Sequence, residues 1–336
     1  MHLVQLTNSS KRRVALVQEP DLVLLRDVDS VLALATQAIQ RQRDLSSCVT
    51  ELLSGERLSY DHVYNGDLEW KLLAPVDVPG NTQRVLVSGT GLTHLGSARE
   101  RAAMHAAPTA QQEAQMTDSM RMFEWGRQHG HPIADSIGVA PEWFYKGDGC
   151  VVQAPFAPLT IPGHAEDGGE EAEVAAIYLV GPDGTPWRVG MAVGNEFSDH
   201  VFEKRNYLNL AGSKLRMCSL GPELVIDGDF HDVKGAVRIM RDGEVLWRKE
   251  IRTGEENMCH SLSNLEHHHF KFDGHRQPGL VHIHFLGADA LSFGDGVRLQ
   301  TGDVAEVQFA GFGRALKNPI ATQQPVTRPV RVQPMH

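Results

Sequence analysis

Two glutamates separated by one residue, Glu171 and Glu173, stand immediately before an apolar run at 174–180. If that run is a buried strand, side chains at i and i+2 lie on one face, about 7 Å apart. Burying two carboxylates side by side costs free energy through repulsion and lost hydration, and a cation between them offsets this cost. Oxygen ligands suit hard cations such as Mg²⁺, Ca²⁺ or Mn²⁺. A solvated acidic turn over residues 166–171 is the alternative interpretation.

A third glutamate, Glu196, can reach the same place. The turn at 182–185 (Pro-Asp-Gly-Thr) joins the first run to a second apolar segment at 187–193, and this pattern predicts a hairpin. Glu196 follows the end of the second strand, which lies beside the start of the first. Three carboxylates from adjacent strands would make an open octahedral metal site with positions for substrate or water.

A lysine follows at a comparable place. Lys214 comes after small residues at 211–213, in a predicted loop ahead of a strand at 218–225. A cation beside an anionic site is either part of the chemistry or only a salt-bridge partner, and the residues alone leave both open.

The order of these motifs resembles the fumarylacetoacetate hydrolase (FAH) superfamily over roughly residues 84–320. The resemblance rests on the Glu171-x-Glu173 pair, on Glu196 after an asparagine, and on Lys214 ahead of Leu-Gly-Pro at 220–222. It also rests on a C-terminal block: Gly-Asp at 302–303, Glu-Val at 306–307, Gly-Phe-Gly at 311–313 and Leu-Lys-Asn-Pro at 316–319. Further upstream, residues 143–146 and 159–162 resemble the family's Phe-x-Lys and Ile-x-x-Pro elements. The sequence is most similar to the GguC-like branch, which is linked to sugar-acid catabolism.

The resemblance implies an α+β, β-rich fold with an FAH-like mixed β-roll or barrel core and a smaller N-terminal α/β domain. We expect residues 1–78 to form the N-terminal domain, residues 79–320 the catalytic domain and residues 321–336 an extended tail. It also implies a homodimer and a divalent cation on Glu171, Glu173 and Glu196. Mg²⁺ is the first choice, with Mn²⁺ or Ca²⁺ as alternatives.

Several positions depart from the family pattern. Glu196 stands where the family usually has an aspartate, His200 where many members have a substrate-binding arginine, and Glu203 where a glutamine is frequent. His94 is retained, but Ser97 replaces the glutamate with which that histidine activates water in the hydrolases. The late Thr-Gly-Thr loop of the hydrolases has no clear counterpart near 285–288.

A metal with open positions suits a 2-oxo acid, which chelates through its carboxylate and keto oxygens and whose enolate the metal stabilises. Because the water-activating glutamate is missing, we predict a dehydratase of a 2-keto-3-deoxy sugar acid. The leading reaction converts 2-keto-3-deoxyarabinonate to 2,5-dioxopentanoate. An acylpyruvate C–C hydrolase and a non-catalytic 2-oxo-acid-binding protein are the alternatives.

The site hypothesis gives each of five further residues a role. Lys214 abstracts a proton or holds the substrate carboxylate, and its pKa is expected to be lowered in a cation-rich site. His94 protonates the leaving hydroxyl, and Ser198, His200 and Glu203 bind the substrate.

Composition excludes other classes of protein. The 336 residues include 32 Lys+Arg against 42 Asp+Glu, a net charge of −10, with no basic block for nucleic acid. No stretch approaches the roughly 20 apolar residues of a membrane span. Four scattered cysteines without a CxxC pair predict reduced thiols, so we expect a soluble, cytoplasmic protein with a small-molecule substrate.

Histidines in the second half of the chain invite a zinc interpretation. Consecutive histidines at 267–269 cannot all face one ion, however, and a polar face of a helix predicted at 261–270 is the preferred reading. His282 and His284 share one face of a predicted strand, where they are either structural or line the substrate cavity.

Overall fold

The computed structural model of the chain describes residues 1–105, 117–133 and 136–335. The protein is built on a mixed thirteen-stranded sheet and a separate five-stranded sheet, with helices packed around them. The predicted α+β, strand-rich fold class is confirmed.

The N-terminal region is a small antiparallel sheet covered by short helices. Its elements are β1 (His2–Thr7), β2 (Arg12–Gln18), β3 (Asp21–Leu25), α1 (Val31–Gln40), α2 (Leu45–Glu51), β4 (Leu53–Ser59), α3 (Tyr60–Asn65) and β5 (Lys71–Leu72). Each helix begins at a side chain that caps a free backbone N–H: Ser30 caps α1, Asp44 caps α2 and Ser59 caps α3.

The central region carries the strands that position the carboxylates. Its elements are β6 (Val85–Gly91), α4 (Leu95–His105), α5 (Asp118–His129), β7 (Glu142–Asp148), β8 (Val152–Gln153), β9 (Leu159–Ile161), β10 (Ala172–Val180), β11 (Pro186–Asn195), α6 (His200–Arg205), α7 (Leu210–Lys214), β12 (Cys218–Leu220) and β13 (Leu224–Val225). The helix predicted over 108–130 corresponds to α5, and its residues 108–116 lie outside the described part of the chain.

The C-terminal region completes both sheets. Its elements are β14 (Val233–Arg241), β15 (Glu244–Thr253), α8 (Leu262–Phe270), β16 (Val281–Phe285), β17 (Val304–Phe309) and β18 (Leu316–Thr322). The hairpin of β14 and β15 turns at Asp242 and Gly243, which adopt φ angles of 51° and 84°. This is the positive-φ turn that the Asp-Gly pair predicts.

The large sheet runs in the order β4-β3-β2-β1-β13-β11-β10-β16-β6-β7, and the small sheet in the order β15-β14-β17-β18-β9. The predicted hairpin of β10 and β11 is confirmed, with Glu173 opposite Gly194 and Ala172 opposite Asn195. All nine residues of β10 are buried, because strands pair with both of its edges and a hydrophobic cluster packs against each of its faces. The ends of β10 and β11 that carry the three glutamates therefore meet inside the protein.

Three expectations about chain organisation need comment. The strands of residues 1–78 join the large sheet directly, since Leu3 of β1 pairs with Leu224 of β13; the division into domains itself stays a prediction. The tail predicted from residue 321 begins later, because β18 continues to Thr322, which pairs with Ile161. Lys214 ends the short helix α7 instead of lying in a loop. Within the described ranges, no helix has the length and apolar character needed to cross a bilayer.

Candidate metal centre and substrate cavity

The three predicted glutamates come together where β10 begins and β11 ends. One carboxylate oxygen from each of Glu171, Glu173 and Glu196 lies within 4.8 Å of the others. All three side chains are buried. The backbone N–H of Glu196 donates to the carbonyl of Glu171 at 2.9 Å, which extends the hairpin pairing by one step. Among the described residues, no other group of three acidic, histidine or cysteine side chains is arranged to share one ion.

Two buried lysines contact these carboxylates. Lys214 Nζ donates to Glu171 Oε1, to Glu196 Oε2 at 2.5 Å and to the hydroxyl of Ser198 at 2.9 Å. Lys146 Nζ donates to the other oxygen of Glu196 at 2.5 Å and to the carbonyls of Phe197 and Lys214. Ser198 also donates to Glu196 Oε2 at 2.8 Å, so its hydroxyl helps to orient this carboxylate.

These contacts shift the pKa values in opposite directions. Burial would raise the pKa of Glu171, but Lys214 and His200 hold it well below its ordinary value. Burial would lower the pKa of Lys214, but the carboxylates of Glu171 and Glu196 raise it. The ammonium thus lies among carboxylates, whereas the lowered pKa was expected beside a bound cation, so that expectation stays a prediction.

Glu173 is the least compensated of the three glutamates. Its Oε2 accepts a hydrogen bond from the backbone N–H of Gly287 at 2.6 Å. Burial, together with the carboxylates of Glu171 and Glu196, raises the pKa of Glu173 well above its ordinary value. A cation held by all three carboxylates would remove this repulsion.

The donor set and its charge fit a hard divalent cation. The surrounding network contains five carboxylates, those of Glu142, Glu171, Glu173, Glu196 and Glu203, against the three cations Arg101, Lys146 and Lys214. The carboxylates outnumber these cations, and a bound Mg²⁺, Mn²⁺ or Ca²⁺ ion would reduce the repulsion among them. The three possible ligands offer only oxygen, which these ions prefer.

A narrow cavity opens beside the glutamates. Glu171, Glu173, Ser97, Arg101, His200 and Glu203 contribute to its wall. His200 Nε2 lies 3.0 Å from Glu171 Oε1, so the imidazole holds this carboxylate on the cavity side. The cavity has a volume of about 20 Å³, which is room for roughly one water molecule. Entry of a ligand larger than a water molecule therefore requires these side chains to move apart.

Comparison with known proteins adds structural neighbours. No protein-family model matches the chain, and no curated protein matches it in sequence. The structure of 2-keto-3-deoxy-D-arabinonate dehydratase complexed with magnesium and 2,5-dioxopentanoate superposes with a TM-score of 0.69, at 17% identity, covering 96% of this chain and 100% of that one. The fumarylacetoacetate hydrolase of Exiguobacterium antarcticum has a TM-score of 0.60 at 18% identity, with coverages of 96% and 100%. A 5-carboxymethyl-2-hydroxymuconate delta-isomerase from Mycobacterium smegmatis gives 0.58 at 16% identity, with coverages of 96% and 99%.

The chain has the fold of the FAH superfamily. The fold that the sequence motifs implied is thereby confirmed.

Within this FAH fold, His94 does not have the carboxylate partner expected of a water-activating histidine. Its Nδ1 lies 2.9 Å from the hydroxyl of Thr93 and its Nε2 lies 3.1 Å from that of Thr253. The ring is almost completely shielded from solvent, and burial lowers its pKa to about 4. Both nitrogens are therefore occupied by hydroxyls, and the predicted role of His94 as a proton donor to substrate has no support in this geometry.

Three buried charged residues near the candidate metal centre were missed as site residues: Arg101, Lys146 and Glu142. Lys146 was noticed only as part of a family motif, although it contacts Glu196. Arg101 Nη1 donates to Glu142 Oε2 at 2.6 Å, and its Nε lies 2.7 Å from Glu203 Oε1. Helical spacing was the available signal, because Arg101 stands four residues after Ser97 and both face the cavity from α4.

The histidines proposed as structural form a buried group between α8 and β16. His269 Nε2 lies 2.9 Å from His282 Nδ1, and His284 Nδ1 lies 2.9 Å from the hydroxyl of Ser88. The rings of His269 and His284 have centroids 4.4 Å apart and planes tilted by 35°, and among the described residues these histidines are not arranged to share one ion. The rejection of a zinc site at 267–269 agrees with this arrangement.

Proposed function

We propose that the chain is a metal-dependent dehydratase of a 2-keto-3-deoxy sugar acid, with 2-keto-3-deoxyarabinonate as substrate and 2,5-dioxopentanoate as product. The observation that carries this proposal is the buried group of Glu171, Glu173 and Glu196 beside a polar cavity. The neighbour with a TM-score of 0.69 is a dehydratase complexed with magnesium and 2,5-dioxopentanoate, which supports the same ligand class.

In this proposal Glu171, Glu173 and Glu196 hold the cation, which when bound polarises the keto group of a 2-oxo acid and stabilises negative charge on it. His200 fixes the orientation of Glu171 through their 3.0 Å contact. Lys214 is held as an ammonium by its carboxylate contacts. Of its two predicted roles, holding the substrate carboxylate is the one that fits this charged state.

Dehydration is favoured over C–C hydrolysis by the surroundings of His94. Hydrolysis needs a base that activates water, and a histidine serves best when a carboxylate orients it. Here both ring nitrogens lie against threonine hydroxyls, and Ser97 stands at the position of the family's glutamate. Loss of water from the substrate needs no attacking water.

The test is a direct assay with purified protein. Incubation with Mg²⁺ and 2-keto-3-deoxyarabinonate should give 2,5-dioxopentanoate, detected through its aldehyde group, and chelation of Mg²⁺ should stop the reaction. Glu173→Gln should abolish turnover, whereas Glu256→Gln, at a largely exposed glutamate, should leave it unchanged. Cleavage of an acylpyruvate without dehydration would show a hydrolase instead. Thermal stabilisation by 2-oxo acids without any product would show the non-catalytic binding protein.

Two further expectations stay predictions. A homodimer would give twice the mass of one chain in light scattering of the purified protein. A cytoplasmic location would be tested by fractionating cells that express the full chain.

A further inference from the structure

An ion cluster borders the cavity, and two of its members, Arg101 and Glu203, line it. Arg101 lies between Glu142 and Glu203, with contacts of 2.6 and 2.7 Å, and we call these three residues the clamp. The hydroxyl of Tyr207 donates to the other oxygen of Glu142 at 2.5 Å. Arg101, Glu142 and Glu203 are all buried, so the clamp is a built feature of the interior and not a surface ion pair.

Gly91 makes room for the clamp. A Cβ at this position would lie 1.8 Å from Glu142 Oε2 and 3.5 Å from Arg101 Nη1. Gly91 itself lines the cavity, together with Arg101 and Glu203. The close approach of the β6 backbone therefore fixes the carboxylate of Glu142 against the guanidinium.

The groups beside the cavity attract different parts of a ligand. Glu171, Glu173 and Glu196 would hold a divalent cation, which attracts an anionic group. The clamp has one guanidinium against two carboxylates, so its carboxylates outnumber its cation. An anionic group is thus attracted by the cation and repelled by the clamp.

We infer that the clamp selects 2-oxo acids with an uncharged, hydroxylated tail and rejects those that carry a second carboxylate; this inference rests on the proposed function. The carboxylate and keto oxygen of the acid lie at the glutamate end, and the tail extends towards Arg101 and Glu203. A hydroxyl both donates and accepts, so it matches a guanidinium beside a carboxylate. A tail carboxylate accepts only, and it would meet the excess negative charge of the clamp in a buried setting.

Two five-carbon acids that differ only at the tail provide the test. Isothermal titration calorimetry of the Mg²⁺-loaded protein would compare 2-oxopentanoate, whose tail is neutral, with 2-oxoglutarate, whose tail is a carboxylate. We expect 2-oxoglutarate to bind at least about tenfold more weakly, since like charges in such a site cost several kcal/mol. Glu203→Gln makes the clamp neutral, and the dissociation constants of the two acids should then differ by no more than about threefold. The Glu256→Gln control should keep the wild-type ratio of dissociation constants.

The outcomes separate this inference from the proposed function. Equal or tighter binding of 2-oxoglutarate by the wild-type protein, with Mg²⁺-dependent binding of 2-oxopentanoate, overturns the inference and leaves the metal site standing. Absence of Mg²⁺-dependent binding of both acids overturns the proposed function together with it. Should Glu203→Gln fail to fold, Glu142→Gln tests the same charge, and an unchanged ratio in the folded variant also counts against the clamp.

Discussion

Lys146 Nζ lies 2.5 Å from Glu196 Oε1, and both side chains are completely shielded from solvent. Lys146 belongs to β7 at one edge of the large sheet, whereas Glu196 follows β11 near its middle. Burial lowers the pKa of Lys146, so its charge depends on this carboxylate. The pair therefore joins the edge strand to the candidate metal centre.

Replacing Lys146 by Met should destabilise the protein by about 3 kcal/mol, because it leaves Glu196 buried with one cation fewer. Urea denaturation would measure the free energy of unfolding. Lys249→Met is the matched control, since the Lys249–Asp295 pair is exposed and such pairs contribute about 1 kcal/mol or less. Equal losses in the two variants would contradict the account of the buried pair.

Glu173→Gln should separate the stability of the protein from its affinity for metal. The substitution removes a carboxylate whose raised pKa reflects burial and repulsion, so the metal-free variant should be at least as stable as the wild type. Saturating Mg²⁺ should stabilise only the wild type, by ~2.7 kcal/mol at a hundredfold excess over Kd. Thermal unfolding with and without Mg²⁺ measures both effects. An equal Mg²⁺ increment in the variant would exclude Glu173 as a ligand.

Much of this site follows from local sequence pattern. Glu171, Glu173 and Glu196 could be placed because a strand alternates its faces and a hairpin brings its two ends together. Both rules act over a few residues. The clamp escaped prediction because Arg101 meets Glu142 and Glu203 only through tertiary packing, 41 and 102 positions along the chain. The direction of the Lys214 pKa shift also depended on this packing, since it follows from which charges surround the ammonium.

Acid should destabilise the protein well above the pH at which carboxylates titrate. Burial lowers the pKa of His282 to about 4 and that of His284 to about 3, from 6.5 in an exposed histidine. Below pH 6.5 these histidines bind protons in the unfolded chain but not in the folded protein, so the free energy of unfolding falls from about pH 6.5 towards pH 4. Each histidine contributes up to ~1.4 kcal/mol per pH unit in this window.

The measurement is the free energy of unfolding between pH 8 and pH 5. His282→Gln should flatten its pH dependence by the share of one proton, whereas His231→Gln, at an exposed histidine, should leave the slope unchanged. Parallel slopes for wild type and His282→Gln would show that His282 takes up its proton equally in both states.

Glu223 should anchor the N-terminal region to the rest of the chain. Its carboxylate accepts from the hydroxyl of Tyr60 at 2.8 Å and from the backbone of Arg314 at 2.9 Å, and it lies 2.7 Å from His2 Nδ1. Glu223→Ala leaves a buried hydroxyl unpaired and should cost about 1–3 kcal/mol. Glu19→Ala, which removes only an exposed partner of Arg314, should cost less than about 1 kcal/mol.

Trypsin digestion of the Glu223→Ala variant would also test the predicted division at residue 78. Early release of the N-terminal region as a separate fragment would show two units held by this contact. A single unfolding step with no early cleavage would show that the shared sheet makes one cooperative unit.

The sequence could not reveal how the N-terminal strands are attached. The strand β13 that receives β1 has only two residues, Leu224 and Val225, and so short a segment has no detectable alternation. The pairing joins residues 2–3 to residues 224–225, which are far apart in the chain, so no local pattern encodes it.

The pairing of β1 with β13 has a consequence for the solubility of the protein. A chain that lost its first strands would leave the backbone donors and acceptors on one edge of β13 unprotected, and another copy could add a strand there. The N-terminal region thus protects the edge of β13 from pairing with another copy. Truncated forms that lack β1 should accumulate as insoluble aggregates.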